Sequence, residues 1–295
     1  MSVSTQSLRR KIDSAGNLQA VVRTMKALAA SSIGQYEQSV RALADYQDTI
    51  ELGLGACLRA ASLSPVHPSR KVSAKRVIGA VILGSDQGLV GQFNDQVADY
   101  ALEALAAVPG TPRVWAVGER VQVRLLDAGL TPVACLPVPT SVQAVTPLVG
   151  QILLETEARE AGVELAELHL FYNRPGNAAA YAPYGLCLLP LDEVWRQQRT
   201  ETAWPTKLLP EIFGDGTATL GALIREYLFV CLFRACAESL ASENASRLAA
   251  MQRAERNIDE LLERLNNRFH QLRQSGIDEE LSDVTAGFEA LTAAQ

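Results

Sequence analysis

The C-terminal part of the chain carries an uninterrupted helical pattern, and this pattern limits what the rest can fold into. Residues 217–291 contain no proline, and their only glycines are Gly221, Gly276 and Gly287. A helix over this stretch would be about 110 Å long at ~1.5 Å per residue, several times the width of a compact domain. The stretch therefore predicts a long helix that needs another helix as its partner.

Two apolar runs in this stretch have the spacing of a coiled coil, with alternating steps of four and three residues. The first run is Ile258, Leu262, Leu265, Phe269 and Leu272, and the second is Ile277, Leu281, Val284, Phe288 and Leu291. The step from Leu272 to Ile277 is five residues, so the register slips within residues 273–276. Such a slip changes the local winding of a coiled coil.

The N-terminal segment provides the expected partner. Residues 4–58 also lack proline, and their apolar residues keep close to a 3.5-residue period, with Gln19 and Gln47 on seam positions. Two long helices at opposite ends of one chain predict an antiparallel coiled coil. The alternative is a pair of unrelated amphipathic helices packed on a globular domain.

Between these helices the pattern alternates between strands and helices. Strands are predicted at 77–83, 113–117, 165–172 and 185–189, and helices at 94–107 (capped by Asn94), 119–128 and 141–161. This alternation predicts a mostly parallel, Rossmann-like α/β domain. The predicted division is an N-terminal coiled-coil helix (1–62), a connector (63–76), the α/β domain (77–208) and a C-terminal coiled-coil helix (209–295).

Composition favours a folded, soluble, cytoplasmic protein. Residues are 48% hydrophobic and 20% charged, and the net charge of −6 argues against a nucleic-acid partner. No apolar run reaches the ~18 residues of a membrane span, and the first residues do not resemble a signal peptide. The five cysteines have no CxxC spacing and are expected to be buried free thiols.

The chemistry-bearing residues do not form a recognisable catalytic or cofactor motif. The glycine-containing loop at 84–91 has the spacing G-x-x-x-G-x-x-G, unlike the dinucleotide fingerprint, and is expected to relieve a tight turn in which Asp86 bonds its own backbone. The three histidines, His67, His169 and His270, are too scattered to indicate a metal site. We therefore expect no cofactor, no metal and no catalytic activity. An enzyme acting on a small molecule is the alternative that this argument disfavours.

Four stretches together resemble the gamma subunit of rotary F-type ATP synthases over nearly the full chain. They are the opening helix at 7–14 and 24–31, the loop at 85–94 (similar to S-D-x-G-L-C-G-x-x-N), residues 238–251 (similar to E-x-L-A-S-E-x-x-A-R-M-x-A-M), and residues 273–281 (similar to R-Q-x-x-I-T-x-E-L). The resemblance implies a central shaft that couples ion flow to ATP synthesis or hydrolysis by rotation. The alternative is a static coiled-coil adaptor.

The resemblance also implies partners and contact residues. The partners would be the alpha and beta subunits, the epsilon subunit and the membrane c-ring, with the chain peripheral to the cytoplasmic face of the bacterial inner membrane and not inserted in lipid. The residues implied to meet catalytic-subunit loops are Met25, Arg247, Arg273, Gln274 and Asp278. Those implied to meet the c-ring and epsilon are Pro210, Glu211, Phe213 and Asp215.

Departures from the family pattern leave the type of complex open. Asp278 stands where the family usually has Thr, which implies a compensating donor in the partner, and Val90 replaces a common Cys. These departures are compatible with a divergent, sodium-translocating N-type complex.

Overall fold

The computed structural model describes residues 5–62, 76–157, 165–176, 180–208, 210–212 and 216–293. Of the predicted connector, only Arg76 falls within these ranges. In chain order the elements are α1 (Thr5–Ala42), α2 (Ala44–Ser62), β1 (Val77–Leu83), α3 (Phe93–Ala107), β2 (Thr111–Val117), α4 (Glu119–Asp127), β3 (Ala134–Leu136), α5 (Val142–Glu157), β4 (Leu165–Pro175), β5 (Tyr181–Leu189), α6 (Glu193–Glu201) and α7 (Gly216–Ala293).

The chain divides into two compact units, and α1 and α7 contribute to both. The first unit comprises Met1–Ala29 and Leu248–Gln295, and the second comprises Ala30–Arg247. The predicted combination of long terminal helices with a central α/β sheet is confirmed. Within the described part of the chain, no helix is both long enough and apolar enough to cross a membrane.

In the first unit, α1 and α7 pack side by side in opposite directions. Val22, Met251 and Ile258 are buried together, with Met25 and Leu262 partly buried against them. Val22, Met25, Ile258 and Leu262 hold positions that the 3.5-residue period assigns to the seam, so the predicted antiparallel pairing is confirmed. The seam-position Gln19 donates to the Asp259 carboxylate across the pair.

The second unit is built on a five-stranded sheet in the order β3-β2-β1-β4-β5. β1 lies in the centre, parallel to β2 and β4, and all of its residues except Val77 are buried. Its sequence is accordingly an apolar run without alternation, as expected for a parallel strand covered on both faces. Among the described strands, β5 alone runs antiparallel to its neighbour, β4.

Helices cover both faces of this sheet. α3 and α4 bury Val97, Ala101 and Leu125 on one face, while α5 and α7 bury Ile152 and Leu232 on the other. Gly118, between β2 and α4, has φ +110°, and a Cβ there would lie 2.8 Å from the backbone of Ser85. The sharp turn into α4 therefore depends on glycine.

Two local predictions in the glycine-containing loop were wrong. Asn94 does not cap α3, which begins at Phe93; its Oδ1 accepts the Ser85 amide at 2.9 Å and its Nδ2 donates to Ser85 Oγ. Asp86 does not bond its own backbone, because its two carboxylate oxygens accept the amides of Glu119 and Val138, each at 2.9 Å. Asn94 therefore closes the loop on itself, whereas Asp86 ties the loop to segments distant in sequence.

Candidate functional site

The residues implied as partner contacts fall in three places, and each is considered within its own unit. Arg273, Gln274 and Asp278 lie on the exposed surface of α7 in the first unit, where Met25 is half-buried in the helix seam. Arg247 is the last residue of α7 that belongs to the second unit. Pro210 and Glu211 are exposed, whereas Phe213 and Asp215 lie outside the described residues.

The register slip at 273–276 coincides with the end of the described helix pair. Gln19 bonds Asp259 and Arg23 bonds Glu255, so both helices advance together in opposite directions. Each step toward the N-terminus of α1 is matched by one step toward the C-terminus of α7. If this pairing continues, Thr5, the first described residue of α1, lies opposite Arg273. No described residue of α1 therefore lies opposite the second apolar run.

The second apolar run is correspondingly exposed. Ile277, Leu281 and Val284 are 53%, 63% and 69% exposed, whereas Ile258 in the first run is 7% exposed. α7 remains helical through the slip, including Gly276. On α7, therefore, a row of apolar side chains with the spacing of the seam continues past the point where the described part of α1 ends.

Basic and polar side chains line α7 just before this row. A groove of about 580 Å³ lies along the helix face, lined by Arg264, Asn267, Arg268, Gln271, Leu272 and Ser275. Acidic residues follow it, since Asp278, Glu279 and Glu280 are all exposed. This arrangement offers cationic donors and then carboxylate acceptors to a partner.

Ion pairs flank the helix seam in the first unit. The Glu255 carboxylate accepts from Lys26 Nζ and from Arg23 Nε, the latter at 3.0 Å. The hydrogen bond from Lys26, followed by the one from Arg23, lowers the pKa of Glu255 below its usual range. These pairs fix the relative register of α1 and α7 beside the apolar contacts.

In the second unit, the family-like stretch of α7 at 238–247 carries buried polar groups. Glu238, of which 8% of the side chain is exposed, accepts Tyr172 Oη at 2.9 Å and Arg234 Nε at 2.8 Å. Burial, followed by the charge of Glu238, raises the pKa of Tyr172, so the phenol stays protonated and donates. This contact attaches α7 to β4.

About two turns further along, α7 contacts the glycine-containing loop. Ser246 Oγ donates to the Val90 carbonyl oxygen at 2.5 Å. Two of the family-like stretches, the loop at 85–94 and the helix at 238–251, therefore touch each other. Contacts within the chain thus engage Ser85, Asp86, Asn94 and the Val90 carbonyl of this loop.

Arg247 is more enclosed than a surface contact residue would be. Its guanidinium pairs with Glu243 at 2.6 Å, and only 11% of its side chain is exposed. Burial raises the pKa of Glu243, and the charge of Arg247 opposes that shift. The Arg247 Nε is buried and has no hydrogen-bond partner among the described residues.

Sequence reasoning missed one further group of side chains. Glu167, His169 and Cys187 converge on the sheet, with their potential ligand atoms all within 4.8 Å of one another. The spacing of Glu167 and His169 on a predicted strand could have placed both on one face. The approach of Cys187 depends on how β4 pairs with β5, which no sequence pattern specified.

Comparison with known proteins assigns the chain to a family. The family model described as ATP synthase matches residues 4–291. An ATP synthase gamma chain of a Nocardioides species is 27% identical over 100% of this chain and 99% of its own length. An ATP synthase gamma chain of Nitrosomonas eutropha is 28% identical, covering 98% of this chain and 99% of that relative.

Solved structures show the same fold at low identity. A chain of the Euglena gracilis mitochondrial ATP synthase rotor aligns with a TM-score of 0.60 at 15% identity, covering 92% of this chain and 98% of that one. A chain from the OSCP/F1/c-ring structure of the same synthase gives a TM-score of 0.62 at 16% identity, covering 98% and 95%. With a family match over almost its whole length, the chain belongs to the gamma subunits of F-type ATP synthases.

Proposed function

We propose that the chain is the central-stalk shaft of a rotary ATP synthase, coupling ion flow through a membrane rotor to ATP synthesis or hydrolysis by rotation. Family membership over residues 4–291 supports this role and disfavours a static adaptor. In this proposal catalysis belongs to partner subunits, and the chain acts through contacts that form and release.

The observation that carries the proposal is the exposed surface of α7 from Arg273 onward. A rotating surface needs contacts weak enough to release, and exposed charged and polar side chains form such contacts. We propose that Arg273, Gln274 and Asp278 meet loops of the catalytic subunits, and that the exposed apolar row beyond them bears on the surrounding alpha and beta subunits. The apolar row also predicts that the isolated chain self-associates.

Met25 and Arg247 are proposed as further contacts with the catalytic subunits. Met25 is half-buried in the seam of the first unit, so part of its side chain remains accessible. Arg247 would meet an acidic group of the partner through the 11% of its side chain that is exposed. Such a bond would be charge-assisted and therefore stronger than a neutral one.

For the other end of the stalk we propose contacts of the loop at 210–215 with the c-ring and the epsilon subunit. Pro210 and Glu211 are exposed, which leaves them accessible to both partners. The complex would be peripheral to the cytoplasmic face of a bacterial inner membrane. The departures from the family pattern fit a sodium-translocating complex.

The test is ion-driven ATP synthesis by the whole complex reconstituted in vesicles. Arg273→Ala combined with Gln274→Ala should lower synthesis relative to ATP hydrolysis while leaving helix content unchanged, because both side chains are exposed. Arg256→Ala is the matched control, since it removes another exposed arginine of α7 away from the slip.

Loss of folding together with coupling would make Arg273 and Gln274 structural residues and contradict their proposed role. Equal uncoupling by Arg256→Ala would show that the contact is not specific to residues near the slip. Sodium-driven synthesis in the absence of a proton gradient would support the sodium-translocating assignment, and strict dependence on protons would refute it.

A further inference from the structure

We propose that Glu167, His169 and Cys187 form a Zn²⁺ site on the sheet of the second unit. His169 Nε2 lies 2.7 Å from Glu167 Oε2, and the ligand atoms of the three residues all lie within 4.8 Å of one another. Carboxylate, imidazole and thiolate are all established zinc ligands. This site goes beyond the rotary function and does not depend on it.

The strand geometry brings the three side chains to one place. Glu167 and His169 are two residues apart on β4, so they point to the same face of the sheet. Cys187 on β5 is the direct antiparallel partner of His169. The pairing shifts register next to this position, with Leu168 opposite Leu189, and such irregularities often re-aim side chains at functional sites.

The ligand set suits zinc with one open position. Three protein ligands with water as the fourth is a common zinc arrangement, with bonds of about 2.0 to 2.3 Å. Ligand atoms around such an ion lie roughly 3.5 Å apart, so the cluster must close by about 1 Å at its widest separation. Cys187 is exposed and sits on the edge strand, so its side chain can make this adjustment and the ion can enter from its side.

Binding would exchange protons for the ion. Zn²⁺ takes Cys187 as the thiolate, so the thiol proton leaves to solvent and its bond to the Leu189 carbonyl oxygen, now 3.1 Å long, is lost. The ion also takes the place of the proton between His169 Nε2 and Glu167 Oε2, and the neutral imidazole then carries its proton on Nδ1. No oxidation or group transfer is involved.

Surrounding side chains already orient two of the ligands. Arg76 donates to Glu167 Oε1, which leaves Oε2 directed at His169. The Phe171 ring stacks on the His169 imidazole, with ring centroids 6.1 Å apart and an interplanar angle of 8°. Such outer contacts hold metal ligands in position, and their loss typically weakens metal binding about 10- to 100-fold.

The test is metal titration of the tag-free, reduced full-length chain after removal of metals with a chelator. Co²⁺ serves as the spectroscopic probe, and Zn²⁺ then competes for the same site. We expect one equivalent of Co²⁺ to produce a thiolate-to-metal charge-transfer band together with the visible bands of tetrahedral coordination, both abolished by Zn²⁺. Cys187→Ser should remove the charge-transfer band, and His169→Ala should weaken Zn²⁺ binding by more than roughly 100-fold.

Two matched controls replace the same residue types elsewhere. Cys135→Ser changes a half-buried thiol on β3, at the opposite edge of the sheet, and His270→Ala changes an exposed histidine of α7. Both should bind Zn²⁺ like the unaltered chain, and Arg76→Gln should weaken binding by about 10-fold or more. Far-ultraviolet circular dichroism identifies a variant that does not fold. If Cys187→Ser or His169→Ala does not fold, the other of these two variants tests the proposal.

Absence of the charge-transfer band, or Zn²⁺ binding that survives both Cys187→Ser and His169→Ala, would overturn the proposal. Equal weakening by His270→Ala would do the same, because it would place the ion elsewhere in the chain.

Discussion

Ile258 and Ile277 provide a direct test of where the helix pair ends. They are the same residue type on the same helix, but Ile258 is 7% exposed and Ile277 is 53% exposed. Replacing each with alanine removes the same three carbons from very different surroundings. The contrast in stability therefore reports how far the described seam extends along α7.

The expected cost follows from burial. Three buried carbons at about 0.8 kcal/mol each give roughly 2.4 kcal/mol. A residual cavity raises the cost toward the range of about 2 to 5 kcal/mol measured for such truncations. The higher helix propensity of alanine returns a few tenths of a kcal/mol. For Ile277→Ala the change should stay within about 0.5 kcal/mol, as at other exposed positions.

Hydrogen exchange of the full chain measures this difference locally. Amides near Ile258 in α7, and those facing them in α1, should exchange roughly 30- to 800-fold faster in Ile258→Ala, which corresponds to about 2 to 4 kcal/mol. Ile277→Ala should leave the same amides unchanged. If the two variants accelerate exchange equally, burial at Ile258 does not hold the pair together and the reasoning fails.

Two further predictions concern polar contacts. Tyr172→Phe removes the hydroxyl that donates to the buried Glu238 carboxylate, so we expect the free energy of unfolding to fall by about 1.5 to 3 kcal/mol; an unchanged urea midpoint would show that the bond contributes little. The pKa of Glu255 is lowered by hydrogen bonds from Lys26 and Arg23, so its stabilisation is present above the unfolded-state pKa and is lost as pH falls through the lower folded-state value. The protection of seam amides, taken as the intrinsic exchange rate at each pH divided by the observed rate, should fall over that acidic range in the unaltered chain but not in Glu255→Gln; identical pH profiles would contradict the role of this carboxylate.

The long helices could be predicted because their signal is continuous and local. The proline-free stretch at 217–291 corresponds closely to α7, Gly216–Ala293, and β1 was predicted at its observed limits. The N-terminal helix differs, because it is interrupted at Leu43 between α1 and α2. Leu43 N still bonds the Ser39 carbonyl oxygen, so the distortion is confined to one residue and needs no proline or glycine to mark it.

Short elements and long-range polar contacts were not predictable in the same way. β3 has three residues, too few for an alternating pattern. α6 was missed although Asp192 caps it by accepting the Trp195 amide at 2.7 Å, a signal that the sequence does contain. Asp86 was assigned a bond to its own backbone because aspartate commonly bonds nearby backbone, whereas tertiary packing gave it Glu119 and Val138 as partners. Asn94 was assigned a capping role but bonds Ser85, nine residues earlier.

In the candidate site, too, local features could be predicted from the sequence, whereas contacts between distant residues could not. The slip at residues 273–276 was visible in the apolar spacing alone. Its coincidence with the end of the described pairing required the contacts of Gln19 and Arg23 with α7. The proximity of Cys187 to His169 likewise required the strand register.

The buried polar contacts of α7 in the second unit bear on how a helix can transmit torque. Apolar packing alone permits small rotations of a helix about its axis, because dispersion and hydrophobic contacts have little directionality. Glu238 and Ser246 each bond a fixed partner, on β4 and in the loop after β1. A rotation of α7 by one residue would break both bonds. Glu238 would keep its ion pair with Arg234 on the same helix but lose its phenol donor, and a hydrogen bond to a charged group contributes about 1.5 to 3 kcal/mol. In the proposed rotary role, these contacts would prevent α7 from turning independently of the sheet, so that torque passes between them without slippage.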